Sequence, residues 1–185
     1  YRQYLDLIGV RADEVREIEQ IPFLPIGLFK SHEIYCGTTP PEQIFTSSST
    51  GGGVPSRHAM ADLTIYERAF RGAFRNFYGD TAEWSIYGLL PSYLERKGSS
   101  LIYMVDRLIA DAGGHGGFYL NDYKRLIADI KADPRPKILL GVTYALLDLA
   151  EQFAPDLHDV VVMETGGMKG RRKELPKEEL HRVLC

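Results

Sequence analysis

Cysteine is scarce in this chain of 185 residues: Cys36 and Cys185 are the two it has. They form no C-x-x-C pair, so neither a disulfide framework nor a zinc site is expected, and the expected setting is reducing and cytoplasmic. No apolar run approaches the roughly 20 residues that cross a bilayer. A charged start leading into an apolar stretch is also missing, so neither a secretory leader nor a membrane partner is expected. Neither sign of charge dominates. Lys and Arg number 22 against 25 Asp and Glu, a formal charge of −3. Without a basic field, nucleic acid is not an expected partner.

Several catalytic signatures are absent too. No Gly-Lys-Ser/Thr occurs, which excludes the Walker loop, and the G-x-G-x-x-G spacing is missing. GGHGG, Gly113 to Gly117, breaks that spacing and reads as a helix end. No serine sits in G-x-S-x-G, so a hydrolase nucleophile elbow is lacking. His32-Glu33 is followed by Cys36 where H-E-x-x-H needs its second histidine.

What remains is an ordinary globular composition, 44% hydrophobic and 25% charged, in a chain long enough to bury a core without disulfides. ADEVREIEQ reads as a short polar helix broken by Pro22 and Pro25. IPFLPIGLFK is apolar and proline-interrupted, and is expected to pack rather than form a regular helix. Gln43 to Thr46 reads as a strand. Asp62 to Tyr78 is the best helix, with Leu63, Tyr66, Phe70, Ala73, Phe74 and Phe77 on one stripe. Asp62 suits its N-cap and Gly79 its end. Beyond it, WSIYGLL, GFYL, KILLGV and DVVVME read as strands. Helices over SSLIYMVDRLIADAGG, NDYKRLIADIKAD and TYALLDLAEQFAP separate them, and a last helix starts near Pro176.

The strand runs IYGLL, KILLGV and VVVM are continuously apolar, so both faces are expected to be covered. That predicts an α/β fold, a three-layer α/β/α arrangement around a mostly parallel sheet. One domain over residues 1–185 is expected. A start at Tyr1 and an end inside the helical pattern EELHRVLC suggest a piece of a longer chain.

The segment IFTSSSTGGGVPSRH, Ile44 to His58, is the main functional candidate. Glycines leave backbone N–H groups unblocked, and with Ser and Thr hydroxyls these suit phosphate oxygens. A position between a strand and the long helix would add the helix dipole. The alternative is a slack Ser/Gly linker. Such a linker would separate domains.

This loop resembles the Ser/Thr/Gly-rich loop of adenylate-forming enzymes, roughly S-G-T-T-G-x-P-[KS]. Ser48-Ser49-Thr50-Gly51-Gly52 occupy that pattern, with Pro55 and Ser56 after it. LLPSYLERKGSSLIYM, KILLGVTYALLDLAEQ and VVMETGGMKGRRKEL extend the likeness from about Phe23 to Cys185. The branch it is most similar to is the LuxE-type acyl-protein synthetases, related to phenylacetate–CoA ligases. The loop departs from the pattern at Ser49, where glycine is usual, and at Gly51, where threonine is usual.

The resemblance implies the N-terminal part of an acyl-activating ligase, inactive alone. Its substrates would be ATP, with Mg²⁺, and a carboxylic or fatty acid, and its acceptor a thiol of a protein or coenzyme A. By resemblance, Ser47, Ser48, Thr50 and Gly52, in a loop with Ser49 and Gly51, would hold the β/γ-phosphates. Thr50 would place its hydroxyl near the metal, and Arg57 would supply a cation. Gly166-Gly167-Met168 would lie against adenine, and Tyr93 would gate the acyl pocket. Lys169, Arg171, Arg172 and Lys173 would either steer the nucleotide or form a solvated face. The family's Tyr-Gly-x-Thr-Glu motif, ribose-gripping Asp and C-terminal catalytic Lys do not occur in this chain. Two rivals stay open: a non-catalytic nucleotide-binding module or degenerate homologue, and an interaction domain without ligand. A homo-oligomer paired through a sheet edge is a further expectation.

Overall fold

A computed structural model of the chain describes residues 1–47, 53–90, 98–166, 168, 172–173 and 175–184. The chain divides into two compact units, Tyr1–Leu63 and Thr64–Cys185.

The first unit begins with helix α1, Arg2–Leu7. The single helix expected over ADEVREIEQ is instead two 3₁₀ turns, Ala12–Glu14 and Ile18–Gln20. The reason is local. Gln20 Oε1 accepts from the backbone N–H groups of Arg16 (2.7 Å) and Glu17 (3.2 Å), so a new capped turn starts at Glu17 and the first cannot continue. Tyr1 and Tyr4 donate their hydroxyls to the carbonyls of Pro22 (2.5 Å) and Phe23 (3.1 Å), which ties the proline-broken segment to α1. Within that segment lies a short helix, α2, Leu28–Ser31. An antiparallel hairpin follows, β1 Gln43–Thr46 with β2 Arg57–Met60, in the register Thr46 opposite Arg57 and Gln43 opposite Met60.

Helix α3, Leu63–Tyr78, starts with the Leu63 N–H donated to the Glu42 carboxylate at 2.8 Å. It ends at Gly79, whose φ of +82° is the left-handed turn a helix end favours. Phe70 and Phe74 are buried as the stripe predicts. Phe77 is not: it is 82% exposed, and Ala73 is also exposed. The stripe drifts instead to Tyr78, whose ring lies 5.2 Å from Phe74 and 5.7 Å from Trp84.

The second unit is α/β. Strands β3 Ser85–Leu89, β4 Gly116–Phe118, β5 Lys137–Val142 and β6 Val160–Thr165 form one parallel sheet in the order β4-β3-β5-β6. The flanking helices are α4 Ser100–Asp111, α5 Tyr123–Ala132, α6 Thr143–Phe153 and α7 Lys177–Leu184. Every residue of β3 and β5 is buried, as continuous apolar runs require of strands covered on both faces. β6 departs from the expectation of a second buried strand. It is an edge, and Val161 and Val162 are 37% and 40% exposed. An apolar run has the same pattern in a central strand and at an edge, so only the neighbours decide its burial.

Two glycines are fixed by close approach. A Cβ on Gly141 would lie 2.5 Å from Leu146, so the absence of a side chain lets α6 fold straight back on β5. A Cβ on Gly116 would sit 1.9 Å from the Ile86 carbonyl oxygen, and its φ of +105° is strained for other residues. Gly116→Ala is therefore expected to cost about 3 kcal/mol or more, read as a lower midpoint in urea unfolding. A change within about 0.5 kcal/mol would contradict this packing.

Glu67 joins α3 to α4. It accepts from the Tyr103 hydroxyl at 2.5 Å and pairs with Arg71, which also holds Asp111 at 2.6 Å. The Tyr103 hydroxyl, then the Arg71 guanidinium, hold the Glu67 carboxyl below its usual range. A depressed carboxylate stabilises the fold above its unfolded value, and that stability is lost as pH falls through the folded value. Glu67→Gln should lower the melting temperature by a few degrees at neutral pH, about 1 kcal/mol. The gap to wild type should narrow as pH falls below the ordinary carboxylate range, about pH 4. A gap that stays constant down to the acid limit of folding would show that charge is not what Glu67 supplies.

Candidate functional site

Two segments carry the expected site, one in each unit. In the first unit, the Ser/Thr/Gly loop joins β1 to β2. The expected passage from strand directly to helix is thus corrected: β2 intervenes in the chain before α3, because Arg57 to Met60 pair with β1. The loop is closed at its base from both sides. Ser47 donates its N–H to the Ser56 carbonyl at 3.0 Å, and Ser56 returns its own N–H to Ser47 Oγ at 2.9 Å. Both ends belong to the first unit, and the division between units falls later, after Leu63. A slack linker between domains does not fit that geometry.

Ser47 and Arg57 are the two site candidates of this unit that the structure describes. They stand at the two strand mouths, and both are exposed. Arg57 makes no ion pair among the described residues. Ser48, Ser49, Thr50, Gly51 and Gly52 lie outside the described residues. His58, to which no chemistry is assigned, stacks on Phe29 with ring centroids 5.6 Å apart.

In the second unit, strand order fixes where a ligand crevice can open. The connection from β3 runs to β4 on one side, and that from β5 runs to β6 on the other. β3 and β5 are neighbours, so their carboxyl ends form a topological switch point, the usual ligand crevice of open parallel sheets. Beyond β3 come Leu90, 2% exposed, and then residues 91–97, outside the described residues, which include Tyr93. Beyond β5, α6 begins at once with Thr143. Val142 at its N-cap supplies no side-chain bond, so the first N–H groups of α6 receive none from it. Buried Thr143 donates its hydroxyl to the Glu164 carboxylate of β6, which braces the two strand ends together.

β6 ends at Thr165, and Gly166 follows it. Gly166 is exposed, and among the described residues a Cβ there would meet nothing within 4 Å. Met168, expected against adenine, is 2% exposed and belongs to the hydrophobic core. Gly167 lies outside the described residues.

Two positions of the basic cluster are described, and they differ: Lys173 is exposed, whereas Arg172 is half-buried and paired. It pairs with Asp148 and with Glu151 (2.9 Å) on α6, fastening the segment after β6 to that helix. Local sequence pattern does not point to these partners, because they lie 24 and 21 residues away. Lys169 and Arg171 lie outside the described residues. Among the described residues, no three His, Cys, Asp or Glu side chains are gathered as a metal site. None of the described helices is long and apolar enough to cross a membrane.

No family model matches the chain, and neither a curated protein nor a solved structure matches it.

The loop base is open to a direct test. Ser47→Ala removes the acceptor of the Ser56 N–H while leaving the strand register intact. Proteolytic cutting within residues 47–56 is expected to speed up about fivefold, with little change in melting temperature. An unchanged rate would mean that the Ser47 hydroxyl does not hold the loop.

Proposed function

We propose that the chain is the N-terminal part of an acyl-activating ligase of the LuxE-type acyl-protein synthetase kind. It would adenylate a carboxylic or fatty acid with ATP and pass the acyl group to a thiol of a protein or coenzyme A. The observation that carries this reading is the loop base. A Ser/Thr/Gly-rich loop is held at both ends by the reciprocal Ser47–Ser56 bonds, and the next residue is the cation Arg57, without an ion pair among the described residues. Backbone N–H groups, hydroxyls and a cation are what a polyphosphate needs, so the residues at the loop's mouth fit the nucleotide.

Ser47, Ser48, Thr50 and Gly52 bind the β/γ-phosphates, and the Thr50 hydroxyl helps hold Mg²⁺. When bound, the metal adds positive charge at the phosphates. Arg57 offsets the negative charge that grows on phosphate oxygens as the acid's carboxylate attacks and pyrophosphate leaves. The backbone of Gly166-Gly167-Met168 lies against adenine. Tyr93, which follows the carboxyl end of β3, borders the acyl group. The parallel sheet with its crevice beyond β3 and β5 supports this reading. The three-layer domain of adenylate-forming enzymes and a cytoplasmic location belong to the same proposal, and the 185 residues alone are inactive in it.

A second reading is favoured by Ser49 and Gly51, which depart from the family's loop. In it the chain is a nucleotide-binding module without catalysis. Acid-dependent exchange of pyrophosphate into ATP by the intact protein separates the two. Exchange that needs one acid from a panel of short and long carboxylic acids, and falls about tenfold or more in Thr50→Ala, is the expected outcome. A rise in melting temperature with Mg-ATP but no exchange with any acid would establish the module instead.

A further inference from the structure

The first unit holds a small pocket between α2 and the hairpin, with a volume of about 130 Å³. Its walls include Lys30, Ser31, His32, Glu33 and Arg57, over a floor containing Ile44 and Ala59. Two permanent cations thus face one cavity against a single carboxylate. Among the described residues, none of Lys30, Arg57 and Glu33 is in an ion pair. Two cations and one carboxylate in the lining give the pocket one net positive charge, which favours an anion.

The Ser31–His32 pair adds a donor in every protonation state. Ser31 Oγ and His32 Nδ1 are 2.8 Å apart. If the hydroxyl donates to Nδ1, the neutral ring carries its proton on Nε2, which is then a free donor. If Nδ1–H donates to the hydroxyl oxygen, the serine O–H is free instead. A doubly protonated ring frees both. Size sets the ligand class. The pocket's volume lies below the several hundred Å³ that enclose a drug-sized molecule, which favours a small group such as a phosphoryl.

We infer that this pocket binds a phosphoryl group through Lys30, Arg57 and the Ser31–His32 pair. This rests on the nucleotide reading above for its physiological ligand. Lys30 and His32 come from α2 and its end, residues to which the loop motif assigns nothing. Glu33 opposes a bare anion, so its charge limits affinity for free phosphate. Arg57, lining the pocket and standing one residue past the loop base, joins the two.

The test is calorimetric titration of inorganic pyrophosphate into the intact protein, with melting curves to verify folding of each variant. Lys30→Ala and Arg57→Ala should each weaken binding about tenfold, since each deletes a charge-assisted contact. Lys30→Arg should keep most of it, and Glu33→Gln should tighten it severalfold. Pyrophosphate that does not bind, or binds equally to wild type, Lys30→Ala and Glu33→Gln, overturns the pocket, even if Thr50-dependent exchange is present. Lys30-dependent binding in a protein that shows no exchange with any acid supports the pocket and removes the ligase reading instead.

Discussion

Strand β5 is the constraint on which the second unit depends. All six of its residues are buried, with β3 on one side and β6 on the other. Ile138, Leu139, Leu140 and Val142 each remove a full side chain from water, worth about 1.5–3 kcal/mol apiece before the entropy of ordering is counted. A strand so placed needs cover on both faces, and the chain supplies it with helices between successive strands. Lys137 enters this interior with its charge matched. Its ammonium pairs with Asp159 at 2.8 Å and donates to the Asp133 carbonyl at 3.0 Å, at the amino end of the sheet.

The opposite end of β5 is built differently. Gly141 lets α6 turn back immediately, so the carboxyl end of the strand and the start of the helix coincide. The hydrogen bond from Thr143 to Glu164 then fixes the neighbouring strand end that leads to Gly166. Stability is concentrated at the amino end and in the centre, and open backbone at the carboxyl end. In the first unit the division of labour is similar on a smaller scale. A four-residue strand pair and two serine bonds hold the base of a loop whose composition favours phosphate, and Lys30 and Arg57, which line one pocket, have no ion pair among the described residues.

Much of this was legible in the sequence, for identifiable reasons. β1 and β5 match their expected bounds, and α3, α4, α5 and α6 fall where apolar periodicity and glycine or proline stops place them. Four features were not legible. Two 3₁₀ turns replace the first helix because Gln20 captures two backbone N–H groups, a contact that no periodicity encodes. Phe77 lies on the predicted stripe yet faces solvent, because Tyr78 takes the place against Phe74 and Trp84. β2 was hidden because RHAM carries no alternating pattern, and its strand character comes from pairing with β1. The pocket lined by Lys30 and Arg57 joins residues 27 positions apart, which no motif spacing brings together.

The sequence by itself determined the class of the fold. Continuous apolar strands separated by amphipathic helices have few other ways to bury their surfaces. Tertiary structure alone decided which strand is central and which is an edge, that Arg172 is a strut while Arg57 lines a pocket, and that Met168 turns into the core. Those outcomes depend on partners distant along the chain. Burial and charge pairing are properties of what a residue meets in space, and a local pattern can propose a face without saying what will cover it.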